Sequence, residues 1–439
     1  MSDKITPSKS YRTFVLVLLT VVYGFNFIDR QIVGILAPFI QKDLGLTNTE
    51  LGLLIGLAFA TFYTIVAIPI AWMADRYSRV NILAIALAMW SGFTALTGLA
   101  GNFWQIGLAR MGVGIGEAGG SPPSHSIISD LYSKEERAGA LGVYSMGIPL
   151  GIMAAYFATA SLMGSGDAEV DWRRIFIFLG LTGVVLAVVV KLVLREPKRG
   201  AMEFENHADI VQPPFKESLK SLLRIPAWWA MCFGIAFGSF VSYAFSAFQT
   251  KYLRLLDPSF DFQTLVIVLG IINGTTYAGG AFLGAKVADK WGVKTIRAYG
   301  WLPAIAIAIC LPLGVMSFWV DTVWLHLGFT TFFLFFLGIY LGPSFAIAQT
   351  LAPINMRAMS TALFFFILNM IALGGGPTFA GWLIDVFKES NGELESMRYA
   401  MTVTCCMFVP SIISFLVVSR VLPRDWAAAE KRNLELAKG

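Results

Sequence analysis

Apolar residues run through this chain in long blocks separated by short polar stretches. Twelve blocks stand out, at roughly 13–40, 49–73, 81–100, 103–129, 138–163 and 173–194, then 227–253, 262–286, 298–318, 324–350, 358–384 and 397–419. A helix of about 20 residues crosses the ~30 Å of bilayer hydrocarbon, so each block can span with slack for tilt. The pattern predicts an all-α membrane protein of twelve transmembrane helices. A first six-helix half covers 1–194, a linker covers 195–226, and a second six-helix half with a polar tail covers 227–439. Within the linker, Phe215, Leu219, Leu222 and Leu223 share one helical face. Lys216, Glu217, Lys220 and Arg224 lie mostly opposite, which predicts a short amphipathic helix lying on the membrane surface.

Composition agrees. Hydrophobic residues make up 56% of the 439 and charged residues 14%, against about 25% charged in soluble domains. The four cysteines, Cys232, Cys310, Cys405 and Cys406, all sit in apolar blocks without metal-ligand spacing. Neither a disulfide framework nor a metal site is expected. There is no Gly-x-x-x-x-Gly-Lys-Ser/Thr loop for ATP and no nucleophile cluster, so neither a pump nor an enzyme is expected, and no cofactor. The polar Met1–Ser10 and the length of the first block do not fit a cleavable signal peptide.

The formal charge of +5 raises the question of a nucleic-acid partner, but its distribution points to topology instead. Of 33 Lys and Arg residues, 24 fall on one alternating set of loops and 7 on the other, with Arg30 and Arg110 inside blocks. The richer set includes both termini, which predicts both in the cytoplasm.

Two places put charge at membrane depth. The first block contains Asn26-Phe27-Ile28-Asp29-Arg30, and the fourth contains Arg110 and Glu117, seven residues apart on one helical face. Such residues face a bundle interior or a water-filled cavity and mark ion pathways or proton relays. A neighbouring arginine tunes how readily a carboxylate takes a proton, and a substrate anion competes for that arginine. A static salt-bridge network fixing helix register is the alternative. Gly112, Gly114, Gly116, Gly119 and Gly120 permit close helix approach, and Pro122 and Pro123 predict a bend. His125 fits either the relay or a hydrogen bond between helices.

The loops after blocks two and eight repeat one pattern. The first reads Ala71-Trp72-Met73-Ala74-Asp75-Arg76-Tyr77-Ser78-Arg79, and the second carries Asp289 and Lys290 in the same place. Asp75, Arg76, Arg79 and Asp289 are candidate gating residues, and matched halves repeated in parallel mark a large class of transporters. At this point the chain resembles the major facilitator superfamily, whose signature here is Gly-x-x-x-Asp-Arg-x-Gly-Arg. Ala71, Ser78 and Ala285 depart from its glycines, while Gly292 keeps one. The fourth block together with Asn26–Arg30 is similar to the spinster branch. That resemblance implies a proton-driven carrier of sphingosine-1-phosphate or related lysolipids, with Asp29 and Glu117 coupling protons and Arg30 and Arg110 as charge partners and headgroup ligands. Gly142, Gly147, Pro149 and Gly151 resemble a motif of family exporters and equally suit a tight packing seam.

The second half shows no charge deep in a block. It offers Ser242, Tyr243 and Ser246 on block seven, Tyr340 on block ten and Asn369 on block eleven. With Asn26, these are the candidate cavity lining. Gly374-Gly375-Gly376-Pro377 predicts a bend in block eleven.

The expected function is proton-coupled secondary transport of an amphipathic organic anion or zwitterion by alternating access. Its partners would be the lipid or small-molecule substrate, protons and the bilayer. A monomer in a bacterial inner membrane is expected. The same scaffold would serve small organic anions or drugs, and a channel or receptor is the alternative of another class. One prediction concerns topology: a cysteine placed in the 195–226 linker should resist an impermeant maleimide added from outside, and labelling there would overturn the assignment.

Overall fold

The computed structural model describes residues 8–74, 76–163, 170–198, 219, 221–353 and 357–436. The described residues up to Leu194 form nine helices: α1 (Lys9–Leu44), α2 (Asn48–Ile55), α3 (Leu57–Ala74), α4 (Arg79–Thr97), α5 (Phe103–Glu117), α6 (Ser121–Leu131), α7 (Lys134–Ser145), α8 (Gly147–Leu162) and α9 (Trp172–Val193). Beyond the linker come α10 (Pro226–Leu256), α11 (Phe262–Gly292), α12 (Ala298–Phe318), α13 (Val323–Ile339), α14 (Leu341–Thr350) and α15 (Arg357–Leu368). A π-helix (Asn369–Gly375) leads into α16 (Gly376–Lys388), followed by α17 (Glu393–Cys405) and α18 (Phe408–Leu436).

Eleven helices or helix pairs among the described residues are long and apolar enough to cross a membrane. Residues 103–129, expected as one span, are instead split. α5 stops at Glu117, and α6 restarts at Ser121 with proline in its first turn, where a missing N–H leaves no bond unmade. The predicted irregularity in block eleven is a π-helix that ends at the triple glycine. α18 runs on to Leu436, well past the expected end at 419, with Pro423 inside it. Most of the linker's predicted amphipathic helix lies outside the described residues; of its four apolar positions, Leu222 is buried and Leu223 exposed.

The chain forms two compact units. The first comprises Met1–Leu46, Ala58–His207 and Asp261–Gly270. In it α1 lies along α8, and α4 packs on α5 and α9. The α1–α8 seam is glycine on glycine. A Cβ on Gly147 would stand 2.8 Å from the Thr20 carbonyl, and one on Gly24 3.6 Å from the Gly147 carbonyl. The block-five glycines Gly147 and Gly151 thus let two backbones touch, whereas Gly142 faces open space.

The second unit comprises Thr47–Leu57, Ala208–Phe260 and Ile271–Gly439. α10 packs against α16 and α18, and α12 against α13 and α18. His326 is buried here, hydrogen-bonded to the Ser317 carbonyl at 2.7 Å and near Gln249, so it ties α13 to its neighbours.

α2 belongs to this second unit, where it packs on α16. Its start is doubly capped. Thr47 and Glu50 form a capping box. The Asp385 carboxylate also accepts four hydrogen bonds, from the N–H of Asn48 (3.1 Å) and of Thr49 (2.7 Å) and from both their side chains (2.7 and 2.6 Å). Lys251, near the end of block seven, lies inside α10, which continues to Leu256 and leaves it only 5% exposed. Its ammonium donates to Asn48 and pairs with Glu393 at 2.6 Å.

Asp385→Asn should therefore strip a charged acceptor from the first N–H groups of α2. Loss of such bonds costs about 1–3 kcal/mol. The melting temperature of the purified protein in detergent should fall, and an unchanged value would show that the cap is not needed.

Candidate functional site

The four mid-span charges expected from the sequence meet inside the first unit. Asp29 and Arg30 come from α1, one helical turn beyond Asn26, and Arg110 and Glu117 come from α5. Glycines bring α5 in: a Cβ on Gly116 would lie 2.6 Å from the Trp90 nitrogen, and one on Gly114 2.8 Å from the Phe59 carbonyl. α5 ends at Glu117, so this carboxylate stands at the break rather than in mid-helix.

Arg30 Nε donates to Glu117 Oε2 at 2.6 Å. The Glu117 side chain is wholly out of solvent, and that of Arg30 is 15% exposed. The guanidinium also sits over the rings of Tyr63 (4.4 Å), Phe27 (5.1 Å) and Phe59 (5.2 Å). Arginine tolerates such a place because its flat cation is weakly hydrated and stacks on aromatic faces.

Arg110 is 2% exposed and shares the Phe59 ring at 5.0 Å. The expected pairing with Asp29 takes a different form. Arg110 Nη1 donates to the Asp29 backbone carbonyl at 3.3 Å, not to its carboxylate. The Asp29 carboxylate, in a residue 3% exposed, is in no ion pair among the described residues. Trp90 and Thr94, one turn apart on α4, lie beside it. Several buried polar atoms around the cluster have no partner: Asn26 Oδ1, Trp90 Nε1, Thr94 Oγ1, Arg110 Nε and Glu117 Oε1. Native interiors hold few such atoms, and their concentration here sets the cluster apart within the unit.

Phe59, Tyr63, Trp90 and Thr94 were not read from the sequence. The 90/94 spacing puts a polar group and an indole on one helical face, which was the available signal. His125 makes no hydrogen bond among the described residues; its ring meets Tyr144 edge-on at 5.1 Å.

Among the gating candidates, Asp75 lies outside the described residues. Arg76 is exposed, stacked on Trp72 at 4.1 Å. Asp289 is exposed and accepts a hydrogen bond from the Tyr299 hydroxyl at 3.4 Å. Arg79 is the anchored one. At 1% exposure it pairs with Asp130 at the end of α6 and with Glu196 at 2.7 Å, and donates to Ser126 and the Pro197 carbonyl.

In the second unit, Ser242, Tyr243 and Ser246 are half-buried on α10. Tyr340 is fully buried, its hydroxyl 2.6 Å from that of Ser239. Asn369 is buried at the first residue of the π-helix.

A bundle of apolar helices with a charged, enclosed cluster and no metal-ligating group among the described residues is the build of a secondary transporter. The family model of the major facilitator superfamily matches residues 19–377, and the chain belongs to that superfamily. It is an integral, multi-pass membrane transporter and not an enzyme.

Within the superfamily it is related to the spinster branch. A solved bacterial homolog to the human lysosomal transporter Spinster, in an inward-facing and unoccupied conformation, superposes with a TM-score of 0.87 at 28% identity. That match covers 95% of this chain and 99% of that one. Protein spinster homolog 1 of Xenopus laevis is 25% identical, over 96% of this chain and 83% of its own. An MFS-type efflux pump of Mycolicibacterium smegmatis is 28% identical over 93% and 92%.

Glu196 gives a pH-dependent test of the Arg79 cluster. Partial burial raises its pKa, but hydrogen bonds from the Val80 N–H, Arg79 and Ser78 outweigh that and leave the carboxyl below its ordinary value. A depressed folded-state pKa contributes stability above the unfolded value of about 4.3, and this is lost as pH falls through the folded value. The melting temperature should drop between about pH 5 and pH 3. Glu196→Gln should melt lower at neutral pH and lose part of that acid slope. Equal slopes would separate Glu196 from the stability of this corner.

Proposed function

We propose that the chain is a proton-coupled carrier of an amphipathic organic anion or zwitterion, of lysolipid or sphingosine-phosphate type, working by alternating access. The observation that carries this is the unequal footing of two buried carboxylates in one cluster. Glu117 is held by Arg30, and the Asp29 carboxylate has no such partner. A carboxylate without a paired cation is costly as an anion in a protein interior, and a proton removes that charge. A substrate anion that draws Arg30 away leaves Glu117 in the same position. Substrate and proton then act on one arginine from opposite sides.

Asp29 and Glu117 thus carry the proton, and because they interact they titrate as a pair. Arg30 and Arg110 keep their own protons, fix the field and meet the headgroup. Asn26 lies beside Glu117 and completes the polar end. Ser242, Tyr243 and Ser246 offer the substrate neutral hydrogen bonds, with Tyr340 and Asn369 shaping the wall behind them.

In this reading α5 and α6 together are the twelfth span, both termini are cytoplasmic, and six spans on either side of 195–226 form the two halves. The loops holding Asp75, Arg76, Arg79 and Asp289 close the cytoplasmic side, with Arg79 as their fixed point. The relatedness to spinster proteins supports the lipid-like substrate. The similarity to an efflux pump over nearly the whole chain favours a second reading, export of small organic anions or drugs.

The test is transport in proteoliposomes with an imposed pH gradient, comparing lysolipids, soluble organic anions and drugs. Gradient-driven uptake of a lysolipid should exceed that of the others. Asp29→Asn and Glu117→Gln should each lower it at least ~10-fold, the loss expected when an essential charged group is removed, while counterflow at equal pH survives in one of them. Folded variants that keep the wild-type gradient dependence would return the cluster to a static role.

A further inference from the structure

At one end of the second unit, α12 and α18 enclose a recess of about 230 Å³ lined by Arg297, Trp301, Leu416, Ser419 and Arg420. The helices touch backbone to backbone at its floor, where a Cβ on Gly300 would stand 2.5 Å from the Ser419 nitrogen. Arg297 precedes the first residue of α12, and Arg420 lies one turn before Arg424, where the apolar stretch of α18 gives way to its charged tail.

We infer that this recess is a binding site for the headgroup of an anionic phospholipid. Both arginines are exposed, and neither side chain is in an ion pair or hydrogen bond among the described residues. The nearby carboxylates are engaged elsewhere: Asp425 is buried and pairs with Arg424 while accepting the Ala227 N–H, and Asp289 accepts the Tyr299 hydroxyl. Two uncompensated guanidiniums facing one small recess match a phosphodiester, which arginine binds through forked N–H pairs. Trp301 adds an indole of the kind that settles at membrane–water interfaces.

The second observation is apolar. From Arg420 back along α18, Val417, Leu416, Ile413 and Val409 are all exposed, between 40% and 56%. A stripe of exposed aliphatic side chains running from a cationic recess into a membrane span suits an acyl chain and has no use for a soluble anion. Basic pockets between transmembrane helices at the cytoplasmic side are a recognised way of holding lipid headgroups.

Native mass spectrometry of the full-length protein, with phosphatidylglycerol or phosphatidylcholine added from mixed micelles, tests this. The wild type should retain phosphatidylglycerol in preference. The double variant Arg297→Gln/Arg420→Gln should bind it about tenfold more weakly or worse, with its melting temperature in lipid-free detergent unchanged. Arg297→Lys/Arg420→Lys should recover part of the binding, and Lys294→Gln, on the same end but outside the recess, should leave it intact. Equal phosphatidylglycerol retention in wild type and the double glutamine variant would overturn the proposal. So would protection against thermal unfolding by inorganic phosphate alone equal to that by the lipid, which would make the site one for a soluble anion.

Discussion

The ion pair between Arg30 and Glu117, 2.6 Å long with its carboxylate out of solvent, is the interaction on which the first unit turns. Removing two charges from water is expensive, and their attraction repays it only with good geometry and further contacts. The chain supplies those contacts with three aromatic rings around Arg30 and with a helix that stops at Glu117. The glycines of α5 follow from the same constraint. Without them Trp90 and Phe59 would hold α5 away, and the two charges would not meet. What the pair does not satisfy is informative too. Glu117 Oε1, Asn26 Oδ1 and Arg110 Nε have no protein partner, and Asp29 stands beside them with its carboxylate in no ion pair among the described residues.

Charge elsewhere is treated differently. At Asp385 a single carboxylate takes four donors at the head of α2, and Lys251 reaches the same segment from α10. Arg79 is likewise saturated by two carboxylates, a hydroxyl and a carbonyl. These are satisfied anchors that hold helix ends. Among the described residues, five of the buried polar atoms without a partner gather around Asp29, and that contrast, more than burial itself, singles the cluster out.

Much of this was legible in the sequence because membrane depth and charge are both one-dimensional signals. Apolar blocks gave the helical class, and Asp29, Arg30, Arg110 and Glu117 declared themselves by standing inside blocks. The break after Glu117 was foreshadowed by Pro122 and Pro123, and the π-helix by Gly374–Pro377. What stayed hidden depends on how helices face one another. No pattern told that Arg110 would bond a backbone carbonyl, because rotamer and helix rotation decide it. Nothing singled out Lys251, near the end of block seven, as a buried anchor, because its partners Asn48 and Glu393 lie far from it along the chain. Phe59, Tyr63 and Trp90 were lost among 35 Phe, 13 Tyr and 12 Trp, most of which only fill space or meet lipid. Asp75, the acid of the repeated loop, lies outside the described residues, so its part rests on the sequence alone.

The central claim is that a carboxyl group of this cluster changes protonation as the carrier works. Infrared difference spectra of the purified protein, recorded between acid and neutral pH, observe the protonated-carboxyl stretch directly. The account predicts a band that appears on acidification, shifts when an anionic lysolipid is added, and is lost or displaced when Asp29 or Glu117 is replaced by its amide. A wild-type band that persists unaltered in both variants would contradict it.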